Sequence, residues 1–156
     1  MYLIQGFFYQ RVTGLGAGYA PGEGAVAIVQ SGFAPYMFAG SMWHQHNITT
    51  NPLMGSMMDD IGASELDDIL ITEKKITFLK RYHRDGGVSG ALGIAYSFAP
   101  DSGNTWLGEY RLPTSGNKEI IGPARCILTK VDAKLFENDL AVYAKKNGFK
   151  KKLRRA

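Results

Sequence analysis

The feature that most constrains the fold is a series of apolar segments of about five to ten residues, separated by turns that contain many of the 19 glycines. Short segments with frequent glycine between them are typical of β-strands joined by turns. In the clearest segment, Ile76, Phe78, Lys80 and Tyr82 are separated by single residues of mixed character. Alternate residues of a strand point to opposite faces. These four side chains are therefore predicted to share the inward face of a strand.

Nine segments have the composition of strands: residues 2–9, 25–30, 36–46, 53–61, 65–71, 75–84, 91–99, 105–112 and 124–130. Strong turn sequences at 84–87 and 100–104 contain Gly or Asn, which adopt positive φ at low cost. Short turns make successive strands antiparallel neighbours. A chain of 156 residues suits one domain with a core of its own. We therefore predict an all-β fold, an up-and-down antiparallel barrel of about eight strands.

After Asp132 the apolar period changes from two residues to three or four, which indicates an amphipathic helix over 132–146. Asp132 is a suitable cap for its start, and Asn147-Gly148 for its end. The predicted stripe that packs on the barrel consists of Leu135, Phe136, Leu140 and Tyr143. A single domain over 1–148, followed by a basic tail over 149–156, is the expected organisation.

The charge is distributed unevenly along the chain. Seven of the 18 Lys and Arg residues lie in the last twelve positions, which contain no acid, while the remainder carries 11 basic and 14 acidic residues. The basic character therefore belongs to the tail, and the barrel is mildly acidic. Such a tail suits contact with anionic surfaces, but it is too short to recognise a nucleic-acid sequence.

Cysteine usage and the N-terminal residues bear on the cellular compartment. Cys126 is the one cysteine, so an intramolecular disulfide is excluded. The first ten residues lack a positive region and a continuous apolar region, so no signal peptide is predicted. The longest uncharged stretch, 24–52, contains too many polar residues for a membrane span. A cytoplasmic protein is expected.

Several runs resemble the lipocalin-like barrels of the calycin group. They are Gly-Ser-Met-Met-Asp-Asp-Ile-Gly at 55–62, Lys-Ile-Thr-Phe-Leu-Lys-Arg-Tyr at 75–82, Ile-Ala-Tyr at 94–96 and Trp-Leu-Gly-Glu-Tyr at 106–110. The likeness covers roughly residues 40–130. It implies a closed barrel with a helix against its wall and a ligand in its interior. Classical secreted members carry a signal peptide and a disulfide pair, so the resemblance points to an intracellular relative.

Lys80 is the residue most informative about function, because its alternation places a cation between Phe78 and Tyr82 on a face that looks buried. A buried charge needs a partner. One interpretation is that the ammonium meets the anionic head of a ligand inside the barrel. The alternatives are a lysine that reaches the rim and an internal pair with Asp59, Asp60 or Glu109.

The predicted ligand-binding set is Phe78, Lys80, Tyr82, Tyr96, Trp106 and Tyr110, together with His44 and His46. The two histidines lie two residues apart in an expected strand, so they are predicted to share a face. A metal or a heme iron could be held by such imidazoles. No acid or third histidine follows at a suitable spacing, so no metal and no cofactor are predicted.

Three further patterns have ordinary structural interpretations. Acidic residues are dense at Asp59, Asp60, Glu65, Asp67 and Asp68, without the spacing of a calcium loop, which indicates a solvated acidic face. The glycines at 14–18 lack the Walker pattern and predict a hairpin loop. Cys126 lies among apolar residues and is predicted to be a small core residue.

These observations favour a non-enzymatic binding protein that holds a small, mainly apolar ligand, with or without an anionic head, in the barrel interior. One alternative is a barrel filled by its own side chains, which acts as an assembly module toward a protein partner or a second copy. Another is a barrel enzyme of the cyclase or isomerase type. The volume left inside the barrel separates the first two hypotheses.

Overall fold

The computed structural model describes residues 1–11, 32–83, 93–114, 118–132, 134 and 137–148. Eight strands form a closed barrel in which each pairs antiparallel with the next, and β8 pairs with β1. The strands are β1 (Tyr2–Arg11), β2 (Phe33–His44), β3 (Leu53–Asp59), β4 (Ala63–Ile71), β5 (Ile76–Tyr82), β6 (Ile94–Ser102), β7 (Thr105–Pro113) and β8 (Glu119–Lys130). The predicted up-and-down barrel is confirmed.

The inward face of β5 is the one that the alternation predicts. Ile76, Phe78, Lys80 and Tyr82 are buried, and the residues between them are partly exposed. The same alternation places the buried residues of β6 inside the barrel. A continuous core results, in which apolar side chains from all eight strands meet.

Two inward glycines allow the wall to coil tightly. A Cβ built at Gly6 would lie 2.7 Å from the Cα of Cys126, and one at Gly108 would lie 2.7 Å from the Cα of Phe98. Glycine in a strand marks a sharp bend or a close approach of another backbone. Each glycine also lies opposite a bulky inward residue, Phe38 in the case of Gly6 and Phe98 in the case of Gly108.

The boundaries of β8 and β6 differ from the prediction for identifiable reasons. β8 begins at Glu119, ahead of Pro123, because residues 119–123 pair only with β7, and a proline is tolerated where one side needs no N–H donor. β6 extends to Ser102, because the turn is only Gly103-Asn104, with a φ of 57° at Gly103. A two-residue hairpin loop replaces the predicted turn over 100–104.

The C-terminal helix α1 spans Glu137–Lys146, within the predicted range 132–146. Its end is as predicted, since the Asn147 N–H donates to the Tyr143 carbonyl and Gly148 adopts a φ of 67°. Oδ1 of Asp132 accepts from the Lys134 N–H at 3.0 Å, and residues 133, 135 and 136, between Asp132 and the helix, lie outside the described residues. Tyr143 is 58 % exposed, so its predicted place on the barrel is wrong.

Some predicted features lie outside the described residues. They are the strand at 25–30, the glycine loop at 14–18, the stripe residues Leu135 and Phe136 and the basic tail at 149–156. Within the described part of the chain, no helix has the length and apolar character that a membrane crossing requires.

Candidate functional site

A charged group of three side chains lies inside the barrel, near the end where β3 joins β4. The side chains of Lys80 and Asp59 are fully buried, and the Lys80 ammonium donates to Oδ2 of Asp59. The Tyr82 hydroxyl donates to the same oxygen. We call Asp59, Lys80 and Tyr82 the charged centre. Among the described residues, no buried side-chain nitrogen or oxygen lacks a hydrogen-bond partner.

The turn that ends β3 positions the carboxylate. Oδ1 of Asp59 accepts from the backbone N–H groups of Ile61, at 2.8 Å, and Gly62, at 3.1 Å. Aspartate commonly stabilises a turn by this type of hydrogen bond. The other oxygen is directed into the barrel toward Lys80 and Tyr82. The two runs that resemble lipocalin-like barrels at 55–62 and 75–82 are therefore joined through Asp59, Lys80 and Tyr82.

Aromatic rings surround the ammonium. Nζ of Lys80 lies 4.8 Å from the ring centroid of Phe8, 4.5 Å from that of Tyr82 and 5.6 Å from that of Tyr96. A cation over an aromatic face at these distances is stabilised, and more so when water is excluded. Lys80 is therefore held by one carboxylate, by a ring of its own strand and by one ring each from β1 and β6.

Burial changes the proton affinity of this region. It lowers the pKa of Lys80, because the charged form loses its hydration, while Asp59 acts in the opposite direction. Burial also raises the pKa of Tyr82 and that of Tyr96, and the negative charge of Asp59 adds to both shifts. The phenols consequently stay protonated, and Tyr82 remains a hydrogen-bond donor.

The structure brings most of the predicted ligand-binding residues together. Phe78, Tyr82, Tyr96 and Tyr110 are buried in the interior, and Trp106 is half-buried against the same core. The rings lie in mutual contact, with centroids 5.0 Å apart for Phe78 and Tyr96 and 6.0 Å apart for Tyr96 and Tyr110. These side chains occupy the interior themselves.

The structure also selects among the interpretations of the charged residues. Of the partners considered for Lys80, Asp59 is the one it contacts. The prediction of a solvated acidic face is wrong for Asp59, because the turn directs its carboxylate inward. Asp67 does lie on the surface, where it pairs with Arg81 at 3.1 Å.

The two histidines do not share a strand face. β2 ends at His44, and His46 lies in a 3₁₀ turn (Gln45–Asn47) with a φ of 58°. His44 is half-buried, with Nδ1 2.7 Å from the carbonyl oxygen of Asn51, while His46 is exposed. The expected face fails because the strand ends before the second histidine. In the described ranges, no three His, Cys, Asp or Glu side chains are grouped as metal ligands.

The predicted ligand-binding set omits several interior aromatics. Phe8, Phe38 and Phe98 are buried, and Phe8 lies between the ammonium, Tyr36 and Tyr110. For Phe8, the sequence signal was the period of two from Ile4 through Gly6 to Phe8. Because β1 carries apolar residues on both faces, this period does not show which set of residues faces inward.

The described residues also line three cavities at the ends and on the outside of the barrel. A depression of about 370 Å³ lies over β1, β2 and β8, and cavities of about 550 Å³ and 500 Å³ lie at the two ends. Comparison with known proteins gives no match to a family model, a curated protein or a solved structure.

Alkaline pH is expected to destabilise the barrel. Burial raises the pKa of Cys126 from 9.0 to about 12, and it raises the pKa values of Tyr82, Tyr96 and Tyr110. The folded state therefore holds protons that the unfolded chain releases, so stability falls as the pH rises above 9. The lowered pKa of Lys80 raises the stability with pH instead, but it is one group against the four whose pKa values are raised.

Urea denaturation between pH 8 and pH 11 measures this effect. Each such group contributes a slope of about 1.4 kcal/mol per pH unit within its window. Cys126→Ala is the matched variant and should flatten the slope between pH 9 and pH 10. An unfolding free energy that stays constant or rises over this range would contradict the buried, protonated state of these groups.

Proposed function

We propose that the protein is a non-enzymatic assembly module, a barrel filled by its own side chains that binds a second copy through its outer wall. The observation that carries this proposal is an apolar surface on adjacent strands. Its exposed side chains, which we call the apolar wall, are Leu3, Phe7, Met37, Met58, Leu107 and Ile127.

The strand register places the side chains of the apolar wall on neighbouring strands, with Arg125 between Leu107 and Phe7. One row of neighbouring outward residues runs Leu107, Arg125, Phe7 and Met37 across β7, β8, β1 and β2. Directly opposed side chains in a sheet lie about 4.5–5.5 Å apart and contact one another. The depression of about 370 Å³ opens on this wall. Exposed apolar surface of this extent marks an interaction site.

The opposite side of the barrel has a different character. On β4 and β5 the outward residues include Glu65 and Arg81, which are directly opposed, and Asp67, which pairs with Arg81. Acidic residues such as Glu65 and Asp67 are depleted at the centres of interfaces. The difference between the two sides singles out one wall for association.

A second copy is the occupant that best fits the apolar wall. Arg125 lies in the row between Leu107 and Phe7, and it forms a 3.2 Å ion pair with Asp101 at the edge of the apolar wall. In a two-fold dimer the same patch faces itself, so each Arg125 can meet the Asp101 of the partner copy. The surface thus combines apolar side chains with a pair of opposite charges that complement each other across a two-fold axis.

The size of the wall sets the expected affinity. Five strands about 4.8 Å apart, over about six residues of 3.4 Å each, cover roughly 500 Å² in projection. A stable interface of standard size buries about 800 Å² per partner. We therefore expect a weak dimer whose population depends on concentration.

Sedimentation equilibrium tests this proposal. The wild-type mass is expected to rise from monomer toward dimer between low micromolar and several hundred micromolar protein. Met37→Lys with Met58→Lys should weaken association at least tenfold, because both side chains are 59 % exposed on the wall and a lysine there would lose hydration.

The control is Leu70→Lys, which places one lysine at an exposed apolar position of β4, away from the wall, and it is compared with Met37→Lys alone. It should associate like the wild type. Circular dichroism checks that each variant is folded. A wild-type protein that stays monomeric throughout, or equal weakening by the control, would refute the assembly proposal.

A second candidate keeps the interior as the binding space, as in an intracellular lipocalin-like protein. The charged centre favours it, because a barrel filled only for packing has no need of a buried charge that is costly to desolvate. Native mass spectrometry of gently purified protein separates the two. An added mass that is lost in Lys80→Met supports a ligand, while the bare chain mass supports the filled barrel.

A further inference from the structure

The largest of the three cavities lies at the barrel end opposite the charged centre, where β1 begins and β2 and β8 end. It has a volume of about 550 Å³. Pockets for small ligands in proteins have volumes of about 300–1,000 Å³. Its polar and aromatic lining residues are Trp43, His44, Asn47, Thr49, Lys130 and Lys134.

The segment that forms one side of this cavity is held in a costly conformation. His46 and Asn47 are consecutive non-glycine residues with a φ of 58° each. Hydrogen bonds fix them: the Ile48 N–H donates to the Gln45 carbonyl at 3.2 Å, and the Asn51 side-chain amide donates to the same carbonyl at 2.9 Å. Left-handed non-glycine residues cluster at binding sites, where the surrounding structure imposes them.

His44 has one ring nitrogen committed to this segment. Nδ1 lies 2.7 Å from the carbonyl oxygen of Asn51. A carbonyl oxygen only accepts, so Nδ1 carries the hydrogen, and Nε2 is the nitrogen left for a second partner. With Asn47 and Thr49, the cavity has three side chains that form directional hydrogen bonds.

Charge gives the cavity its selectivity. Lys130 and Lys134 line it against one acid, Asp132. Oδ1 of Asp132 accepts from the backbone N–H of Lys134 at 3.0 Å, so one of its oxygens is occupied within the chain, and the two lysines leave the lining with a net positive charge. An anion placed here meets two ammonium groups, and the half-buried indole of Trp43 offers a flat apolar face beside them.

We infer that this cavity binds a small aromatic anion, with its phosphate or carboxylate at Lys130 and Lys134 and its ring against Trp43. This site is separate from the apolar wall and from the interior of the barrel. The inference therefore stands or falls independently of the proposed assembly.

Tryptophan fluorescence tests the site. In Trp106→Phe, Trp43 is the one remaining indole, so quenching reports on this cavity alone. Adenosine monophosphate and benzoate are the aromatic probes for phosphate and carboxylate, and adenosine is the uncharged comparison. We expect saturable quenching by one or both anions below millimolar concentration, and at least tenfold weaker binding of adenosine.

The matched variants decide whether the cavity lysines are responsible. Lys130→Gln with Lys134→Gln should weaken binding at least tenfold, while Lys74→Gln with Lys75→Gln, which removes two exposed charges from the β4–β5 turn, should not. Calorimetry on the chain with both tryptophans repeats the measurement if Trp106→Phe fails to fold. Absence of binding by both anions, equal binding of adenosine or equal loss in the two variants would overturn the inference.

Discussion

Replacing Asp59 with alanine is expected to destabilise the barrel by about 3–5 kcal/mol, the usual cost of removing one partner of a buried ion pair. Lys80 would keep its charge or lose a proton inside an apolar barrel, and the Tyr82 hydroxyl would lose its acceptor. The turn would also lose two hydrogen bonds to backbone N–H groups. Urea denaturation at pH 7 measures the loss.

Two further variants separate the charge effect from other causes. Asp67→Ala breaks the exposed pair with Arg81 and should cost less than about 1 kcal/mol. Combining Asp59→Ala with Lys80→Met removes both buried charges, and it should recover at least half of the loss. If Asp59→Ala cost no more than Asp67→Ala, the charged centre would not be the buried pair described above.

Replacing Gly108 with alanine is expected to cost about 3 kcal/mol or more, or to prevent folding, because overpacking that displaces backbone exceeds the usual penalty of 1–3 kcal/mol. The new Cβ would lie 2.7 Å from the Cα of Phe98 and nearer still to the Ser97 carbonyl oxygen. Neither is a flexible side chain, so β6 and β7 would have to separate. Thermal and urea denaturation report the change.

Gly93→Ala is the matched control. A Cβ there meets its nearest atom, in Leu79, at 3.5 Å, which is ordinary van der Waals contact. This variant should keep wild-type stability within about 0.5 kcal/mol. Equal tolerance of alanine at both positions would contradict the close approach of β6 and β7.

Much of the barrel could be predicted because β5 alternates so regularly that one inward face follows from the residue types. The ends of the strands were harder to predict, because they depend on which neighbouring strands pair there. Pro123 lies inside β8 only because β1 does not pair with that part of the strand. The residue types along a strand do not indicate which neighbouring strand pairs with each part of it.

The charged centre could be predicted only in part. The alternation places Lys80 inside, but its partner is 21 residues away and is directed inward by the hydrogen bonds of a turn. Asp59, Asp60 and Glu109 were equivalent candidates in sequence. Geometry alone distinguishes them, and it also determines that β2 ends before His46.

The apolar wall gave no separate signal in the sequence. On β1 the outward Leu3 and Phe7 are as apolar as the inward Ile4 and Phe8. A strand that is apolar on both faces looks fully buried. Only the closed barrel, with burial of one set and exposure of the other, shows that a second apolar surface exists.

Methionine methyl resonances test most directly the claim that a filled barrel self-associates through its apolar wall. The chain has methionines on the outer and the inner face of the strands that carry this wall. Met37 and Met58 are each 59 % exposed outside, and Met42 and Met57 are buried inside. Spectra of protein labelled with ¹³C at the methionine methyls are recorded from micromolar to millimolar concentration. A filled barrel that self-associates predicts concentration-dependent shifts at Met37 and Met58 and none at Met42 and Met57, whereas constant outer resonances, or shifts confined to the inner pair, would contradict it.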